Sequence, residues 1–230
     1  MTQTPAPVGI LMLDTRFPRI PGDIGNPASW PFPILTRKVA RASPDRVVRR
    51  DPAALLPDFI AAGQALVTDG AVLVTTSCGF LSVFQHDLAA ALPVPVLTSA
   101  LLQVETVNRL LPPGRRAGIL TISASTLSPR HLALAGVPEG TPIGSTEGGS
   151  EFTRAILDDE AQLDVVKARA DLLDAATALR ADHPDLGAIV LECTNMGPYA
   201  ADIRAATGLP VFSILTFVSW LHMGVQPPAF

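Results

Sequence analysis

Two stretches decide the fold: "GAVLVTTSCGF" (70–80) and "GAIVLECTNMG" (187–197). Each is a near-continuous apolar run that ends on a cysteine and a glycine-containing turn. A strand covered on both faces needs apolar side chains at consecutive positions, whereas a half-solvated strand alternates. The same reading applies to "VGILMLD" (8–14), "VPVLT" (94–98), "AGILTIS" (117–123) and "VFSIL" (211–215). Helix candidates fall between these strands, at roughly 53–68, 81–91, 99–111, 127–135, 160–181 and 198–207. In the 160–181 segment Leu163, Val166, Ala170, Leu173 and Thr177 recur at steps of three and four, which predicts an amphipathic helix buried along that stripe. Strands alternating with helices predict an α/β fold with mainly parallel sheet.

The strands also repeat. "VGILMLD" resembles "AGILTIS", and the two cysteine-bearing stretches resemble one another. This pseudo-symmetry predicts two similar open, flavodoxin-like parallel-sheet lobes. The first is expected to hold 1–98 plus about 208–230, and the second about 99–207, with an active-site cleft between them. Ligands of open parallel sheets sit beyond the carboxyl ends of the strands. Both cysteines are expected there.

The segment 15–44 breaks the rhythm with six prolines: Pro18, Pro21, Pro27, Pro31, Pro33 and Pro44. Proline excludes a regular helix or a central strand. Phe17, Trp30 and Phe32 favour a packed loop. We read it as a flap over the cleft that carries Arg16 and Arg19, and expect it to close on ligand. The basic cluster Arg46, Arg49 and Arg50 is interleaved with Val47 and Val48 and reads as a half-exposed strand.

Composition excludes several classes. The formal net charge is −4 and no basic stripe exists, so a nucleic-acid partner is not expected. The longest apolar stretch, 209–225, is interrupted by Ser213, Ser219 and His222 and is short of the ~20 residues a bilayer requires. No membrane association is expected. The N-terminus lacks a basic leader, and two free cysteines suit a cytoplasmic protein. The four histidines are scattered without ligand spacing, so no metal site is expected. Lys38 and Lys167 are the sole lysines, and neither reads as a buried Schiff-base residue. No cofactor is expected. The sequence leaves homo-oligomerisation open.

A single cysteine after an apolar run usually reads as a small hydrophobe. Two in matching places of two matching halves read differently. Thiols at strand-to-helix turns feel the positive end of the helix dipole, which favours thiolate. Two thiols facing across a cleft form an acid–base pair, one removing a proton from carbon and the other supplying one to the opposite face.

With "LDT" (13–15), "TTSCGF" (75–80), "ISAST" (122–126), "STEGG" (145–149) and "ECTN" (192–195), the chain resembles the cofactor-independent aspartate/glutamate racemase superfamily over nearly its whole length. The resemblance implies Cys78, Cys193 and Asp14 as catalytic residues. It implies Thr15, Thr76, Ser123, Thr126 and Thr194 as polar contacts, with Gly79, Asn195 and Arg16 also toward substrate, and Glu147 as an acid near the second cysteine. Gly79-Phe80 and Thr194-Asn195 depart from the Asn-Thr and Thr-His that glutamate racemases carry after their cysteines, so glutamate is not implied as substrate. Glu192 precedes Cys193 on a strand and should face the other way, which reads as structural, paired with an arginine; with no histidine after Cys193, whether Glu147 or Glu192 assists that thiol stays open.

The expected function is racemisation or epimerisation of an amino acid or related carboxylic acid, by two-base proton transfer α to the carboxylate. The alternatives are an isomerase or decarboxylase of a small diacid, and a non-catalytic small-acid-binding protein of the same fold.

Overall fold

The computed structural model describes residues 5–227. It contains two four-stranded, all-parallel sheets. In the first, β1 (Val8–Met12), β2 (Ile34–Lys38), β3 (Leu73–Thr76) and β4 (Val96–Leu97) lie in the order β2-β1-β3-β4. In the second, β5 (Arg116–Thr121), β6 (Ile143–Ser145), β7 (Leu186–Leu191) and β8 (Val211–Phe212) repeat that order as β6-β5-β7-β8. The fold is thus the expected pair of pseudo-symmetric α/β lobes. β1, β3, β5 and β7 occupy the inner positions and are the near-continuously apolar runs; Leu73, Val74, Ile119, Leu120 and Ile189 to Leu191 are fully buried.

Seven α-helices are shared between the lobes: α1 (Leu56–Thr68), α2 (Gln85–Ala91), α3 (Val104–Leu110), α4 (Pro129–Leu134), α5 (Phe152–Leu157), α6 (Val165–Asp182) and α7 (Ala200–Thr207). An eighth, α8 (Ile214–Val225), closes the described chain. Short 3-10 turns lead into α1, α2, α3 and α7, so the expected helices begin one turn tighter than an α-helix.

Several expectations need correction. β8 hydrogen-bonds to β7, so residues 208–212 belong to the second lobe rather than the first. α8 then crosses back to pack near β3, where His222 Nε2 pairs with Ala6 O (2.9 Å) and its ring stacks on Phe32. Residues 228–230, which the sequence reading placed with the first lobe, lie outside the described residues. Ser213 breaks the apolar run 211–215 because it caps α8, its side chain and that of Thr216 satisfying each other's backbone. The Pro-rich segment is not loop throughout. Residues 34–38, which lack proline, form β2, and β2 is an edge strand, where a proline-flanked segment is tolerated. Asp45–Arg49 is a π-helical turn with Val47 and Val48 buried, not a strand.

α6 exists but is rotated from the expected stripe. Its buried residues are Ala168, Asp171, Leu172, Ala176 and Leu179, while Val166 is 72% exposed. Two alanines let the helix approach the sheet closely. Asp171 is drawn inward because its carboxylate accepts the backbone N–H groups of Ser150, Glu151 and Phe152 ahead of α5. Hydropathy could not anticipate an aspartate chosen to cap a neighbouring helix.

Candidate active site

The equivalence of β3 and β7 places Cys78 and Cys193 two residues beyond corresponding strand ends. Both are free thiols, and both line one narrow cavity of ≈ 20 Å³ between the lobes. The walls are mainly apolar: Phe17, Val48, Phe80, Ile122 and Ile156 contribute, alongside Ser77, Gly79, Glu192 and Asn195.

The first turn is shaped by Thr76. Its hydroxyl lies 2.9 Å from Cys78 O and 2.7 Å from Thr98 O, and accepts from Cys78 N–H. Thr76 therefore bends the chain behind the thiol and does not reach the cavity. Cys78 stands at the N-cap of a 3-10 helix (Gly79–Phe84) with no side-chain cap hydrogen bond; Leu81 N–H donates to its carbonyl oxygen (3.1 Å), and the Phe80 and Leu81 N–H groups favour its thiolate. The second turn is tied to the first across the lobes, with Thr194 Oγ1 donating to Ser77 O (2.7 Å). Both hydroxyls are scaffold, worth about 1 kcal/mol per hydrogen bond.

Glu192 belongs to this site, contrary to its reading as structural and arginine-paired. It is fully buried; Thr121 Oγ1 donates to its Oε2 (2.8 Å), and Oε1 meets no donor among the described residues. It fills the space beside Gly79, where a Cβ would collide with Glu192 Oε1 and its carbonyl oxygen. That close approach is the reason a glycine follows Cys78. Burial raises the Glu192 carboxyl to about 7, against the Thr121 hydroxyl and the Ile122 N–H, which favour the anion.

The thiols do not have the lowered pKa expected at helix N-termini. Burial, and then Glu192, push Cys78 up to about 12, although the N–H groups of Phe80 and Leu81 and the guanidinium of Arg19 act in the opposite sense. Cys78 retains some surface, but its sulfur is ringed by protein and desolvation dominates. Cys193, 8% exposed, is raised well above the usual thiol range by burial and Glu192; the Asn195 N–H opposes this, while Cys78 and Asp23 reinforce it. Removing a thiolate from water costs more than a few aligned N–H groups return.

The Pro-rich segment supplies the roof. Phe17 lines the cavity, and the Gly22 turn (φ 95°) presses against Gly197 and Pro198 beyond Cys193. Asp23 is 2% exposed and accepts from Gly25 N–H, Arg19 Nη1 (3.1 Å) and Asn195 Nδ2. Burial raises its carboxyl even beside Arg19. Sequence reasoning missed Asp23. Its one signal was an acid among prolines and glycines, which reads as turn chemistry.

The other expected site residues lie elsewhere. Asp14 is exposed and ion-paired with Lys38 (3.0 Å). Arg16 is 72% exposed at its side chain and pairs with Asp159 across the lobes, and Thr15 accepts from Arg19 Nη2 (3.0 Å). Ser123 donates to Glu147 and accepts from Thr126 Oγ1, and Glu147 also gathers Ser125 and Ser145. That cluster organises the loop after β5 and does not line the thiol cavity; its hydroxyls and the Ser125 N–H hold the Glu147 carboxyl below its usual value despite some burial. Thr126 lines a separate groove with Arg130 and His131. Of the residues expected to act, the structure unites Cys78, Cys193, Gly79 and Asn195.

Two parallel-sheet α/β lobes thus meet at paired thiols. The family model for Asp/Glu/Hydantoin racemase matches residues 84–218, and the chain belongs to that family. It is 28% identical to a dimethylsulfoniopropionate lyase of Durusdinium sp. clade D, over 98% of this chain and 77% of that protein. It is 30% identical to dimethylsulfoniopropionate lyase 5 of Emiliania huxleyi (strain CCMP1516), over 99% of this chain but 47% of the relative. Its fold is that of allantoin racemase from Pseudomonas fluorescens, with a TM-score of 0.60 at 16% identity over 95% of this chain and 90% of that one. No described helix is long and apolar enough to cross a membrane.

Proposed function

We propose that the cavity abstracts the proton α to the carboxylate of a small acid, and that the substrate is a zwitterion with an onium group at the β-carbon, dimethylsulfoniopropionate being the leading case. The observation that carries this reading is the pair of free thiols in one cavity that no arginine or lysine lines. An aspartate or glutamate would bring a second carboxylate, and the arginines of the Pro-rich segment are engaged: Arg16 with Asp159, and Arg19 with Asp23. A sulfonium finds instead the Glu192 carboxylate and the Phe80 ring, while the Phe17 ring already carries the Arg19 guanidinium 4.5 Å from its centroid. The names of the relatives support the same substrate.

In this reaction the Cα–H bond breaks and its proton passes to a cysteine sulfur. The electron pair becomes the Cα=Cβ bond, and the Cβ–S bond breaks with its pair onto sulfur. The products are acrylate and neutral dimethyl sulfide, and the cysteine returns its proton to solvent. General-base transfer of this kind contributes typically 10²–10⁴-fold. Two thiols in equivalent turns also favour a second reading, racemisation or epimerisation of an amino acid or related carboxylic acid by proton transfer on opposite faces.

Headspace gas chromatography with dimethylsulfoniopropionate, beside chiral analysis of an amino- and hydroxy-acid panel in deuterated water, separates the readings. Dimethyl sulfide release is expected. Inversion with solvent deuterium uptake and no dimethyl sulfide would replace the lyase reading with the racemase one. Binding without either would leave a small-acid-binding protein.

A further inference from the structure

The two thiols face different hydrogen-bond partners. Backbone N–H groups lie near both sulfurs, those of Phe80 and Leu81 near Cys78 and that of Asn195 near Cys193, and Cys78 makes no side-chain cap hydrogen bond. Cys193 Sγ donates to an acceptor, Asn195 Oδ1, at 3.6 Å. An amide can turn either end toward a neighbour, so what holds Asn195 decides which end Cys193 sees. Asp23 holds it. The carboxylate already accepts from Gly25 N–H and Arg19 Nη1, and it takes the Asn195 amide nitrogen as a third donor. With Nδ2 committed to Asp23, Oδ1 must face the thiol.

From this geometry we infer that Asp23, acting through Asn195, holds Cys193 as a hydrogen-bond-donating thiol, so that the site runs in one direction with Cys78 as the proton acceptor. Asp23 and Arg19 are positioning residues supplied by the Pro-rich segment. A racemase must regenerate both arrangements, each thiol serving as base in turn. A lock on one thiol suits an elimination, which needs one base. The S–H of Cys193 then stays intact and can donate to the substrate carboxylate as charge grows there. A protonated sulfur is also a poor nucleophile toward the acrylate formed beside it.

The groups facing Cys193 are Glu192, Cys78, Asp23 and Asn195; Arg19 reaches it through Asp23. The inference deepens the α-proton reading and rests on it for its catalytic meaning, but its test needs no substrate. Thiolate absorbance is titrated in proteins carrying one cysteine each, Cys78→Ser and Cys193→Ser, so that each midpoint is read alone. Cys78 is expected to ionise at lower pH than Cys193. Adding Asn195→Ala or Asp23→Ala to the Cys78→Ser protein should lower the Cys193 midpoint by about one pH unit, the scale of one lost hydrogen bond. Asp23→Asn keeps size and an acceptor for the Asn195 amide, and should shift it less than half as far. The same substitutions in the Cys193→Ser protein should leave the Cys78 midpoint nearly in place. Cooperative urea unfolding of the Asp23→Asn protein guards against misfolding as the cause. A Cys193 midpoint that stays put in the Asn195 and Asp23 variants, or that lies below that of Cys78 at the outset, would overturn the inference. Absence of dimethyl sulfide with these shifts present would instead count against the lyase reading alone.

Discussion

The turn after β3 and the turn after β7 hold equivalent places in their sheets and differ in chemistry. Each follows the third strand of its sheet and carries a cysteine two residues past the strand end. The first turn then presents N–H donors to its sulfur, and Gly79 gives way to a buried Glu192. The second also presents an N–H, that of Asn195, but adds an amide oxygen held by a buried carboxylate. Duplication of a fold places two sulfur atoms at equivalent strand ends, and the residues packed behind them then give each a different environment. A strand end is set by the sheet; a proton's position is set by the neighbours.

The largest expected break in this comparison is Cys78→Ala. Loss of the proposed base should lower turnover about 10²–10⁴-fold, measured as dimethyl sulfide release. Cys193→Ala should be milder, because it removes a donor and not the proton acceptor. Equal losses would restore the symmetric account. Arg19→Met comes next. Arg19 and Asp23 form an ion pair with side chains 14% and 3% exposed, so its loss strands a buried carboxylate at a cost of about 3–5 kcal/mol in urea unfolding. Arg16→Met, across an exposed pair with Asp159, should cost under about 1 kcal/mol by the same measurement.

Gly79→Ala tests the asymmetry from the other side. Its methyl group would strike Glu192, so a loss of about 1–3 kcal/mol is expected, with reduced turnover. Thr194→Ser should be nearly neutral, since the hydroxyl bonded to Ser77 O survives. Glu192 has a pH signature. Its folded value, about 7, lies above the usual 4.5. The acid is thus stabilised in its protonated form, and that contribution is complete below about pH 4.5 and lost as pH rises through 7. The loss amounts to about 3 kcal/mol at full ionisation. Glu192→Gln should flatten the stability–pH curve between those limits. The smallest effect is expected at Asp14→Asn, because Asp14 is exposed and paired with Lys38 outside the cavity. It should change turnover less than about twofold and stability by under about 1 kcal/mol.

The lobes and both thiols were legible because burial on both faces of a parallel strand leaves an unbroken apolar run, and because the run occurs twice with a cysteine at its end. β2 was hidden by surrounding prolines. The helical character of Ile214–Val225 was hidden by an apolar run whose cap, Ser213, sits inside it. The polar half of the site was harder to read. Thr76 and Thr194 stand next to the cysteines in sequence but turn their hydroxyls to backbone carbonyls. Glu192 should face away from Cys193 on an ideal strand, yet the chain leaves the strand at Leu191, and alternation stops with it. Asp23 reaches Asn195 across 172 residues of chain, a contact that no local pattern encodes.

The account stands most directly on one measurement: the rate of dimethyl sulfide release from dimethylsulfoniopropionate carrying deuterium at both α positions, compared with the unlabelled compound. Abstraction of the α-proton by a cavity thiol predicts a several-fold slower release from the labelled substrate under single-turnover conditions, and rates that climb with pH as Cys78, held near 12, ionises. Equal rates for the two isotopologues, with a flat pH profile, would contradict proton transfer to a thiol as the step this cavity was built to perform.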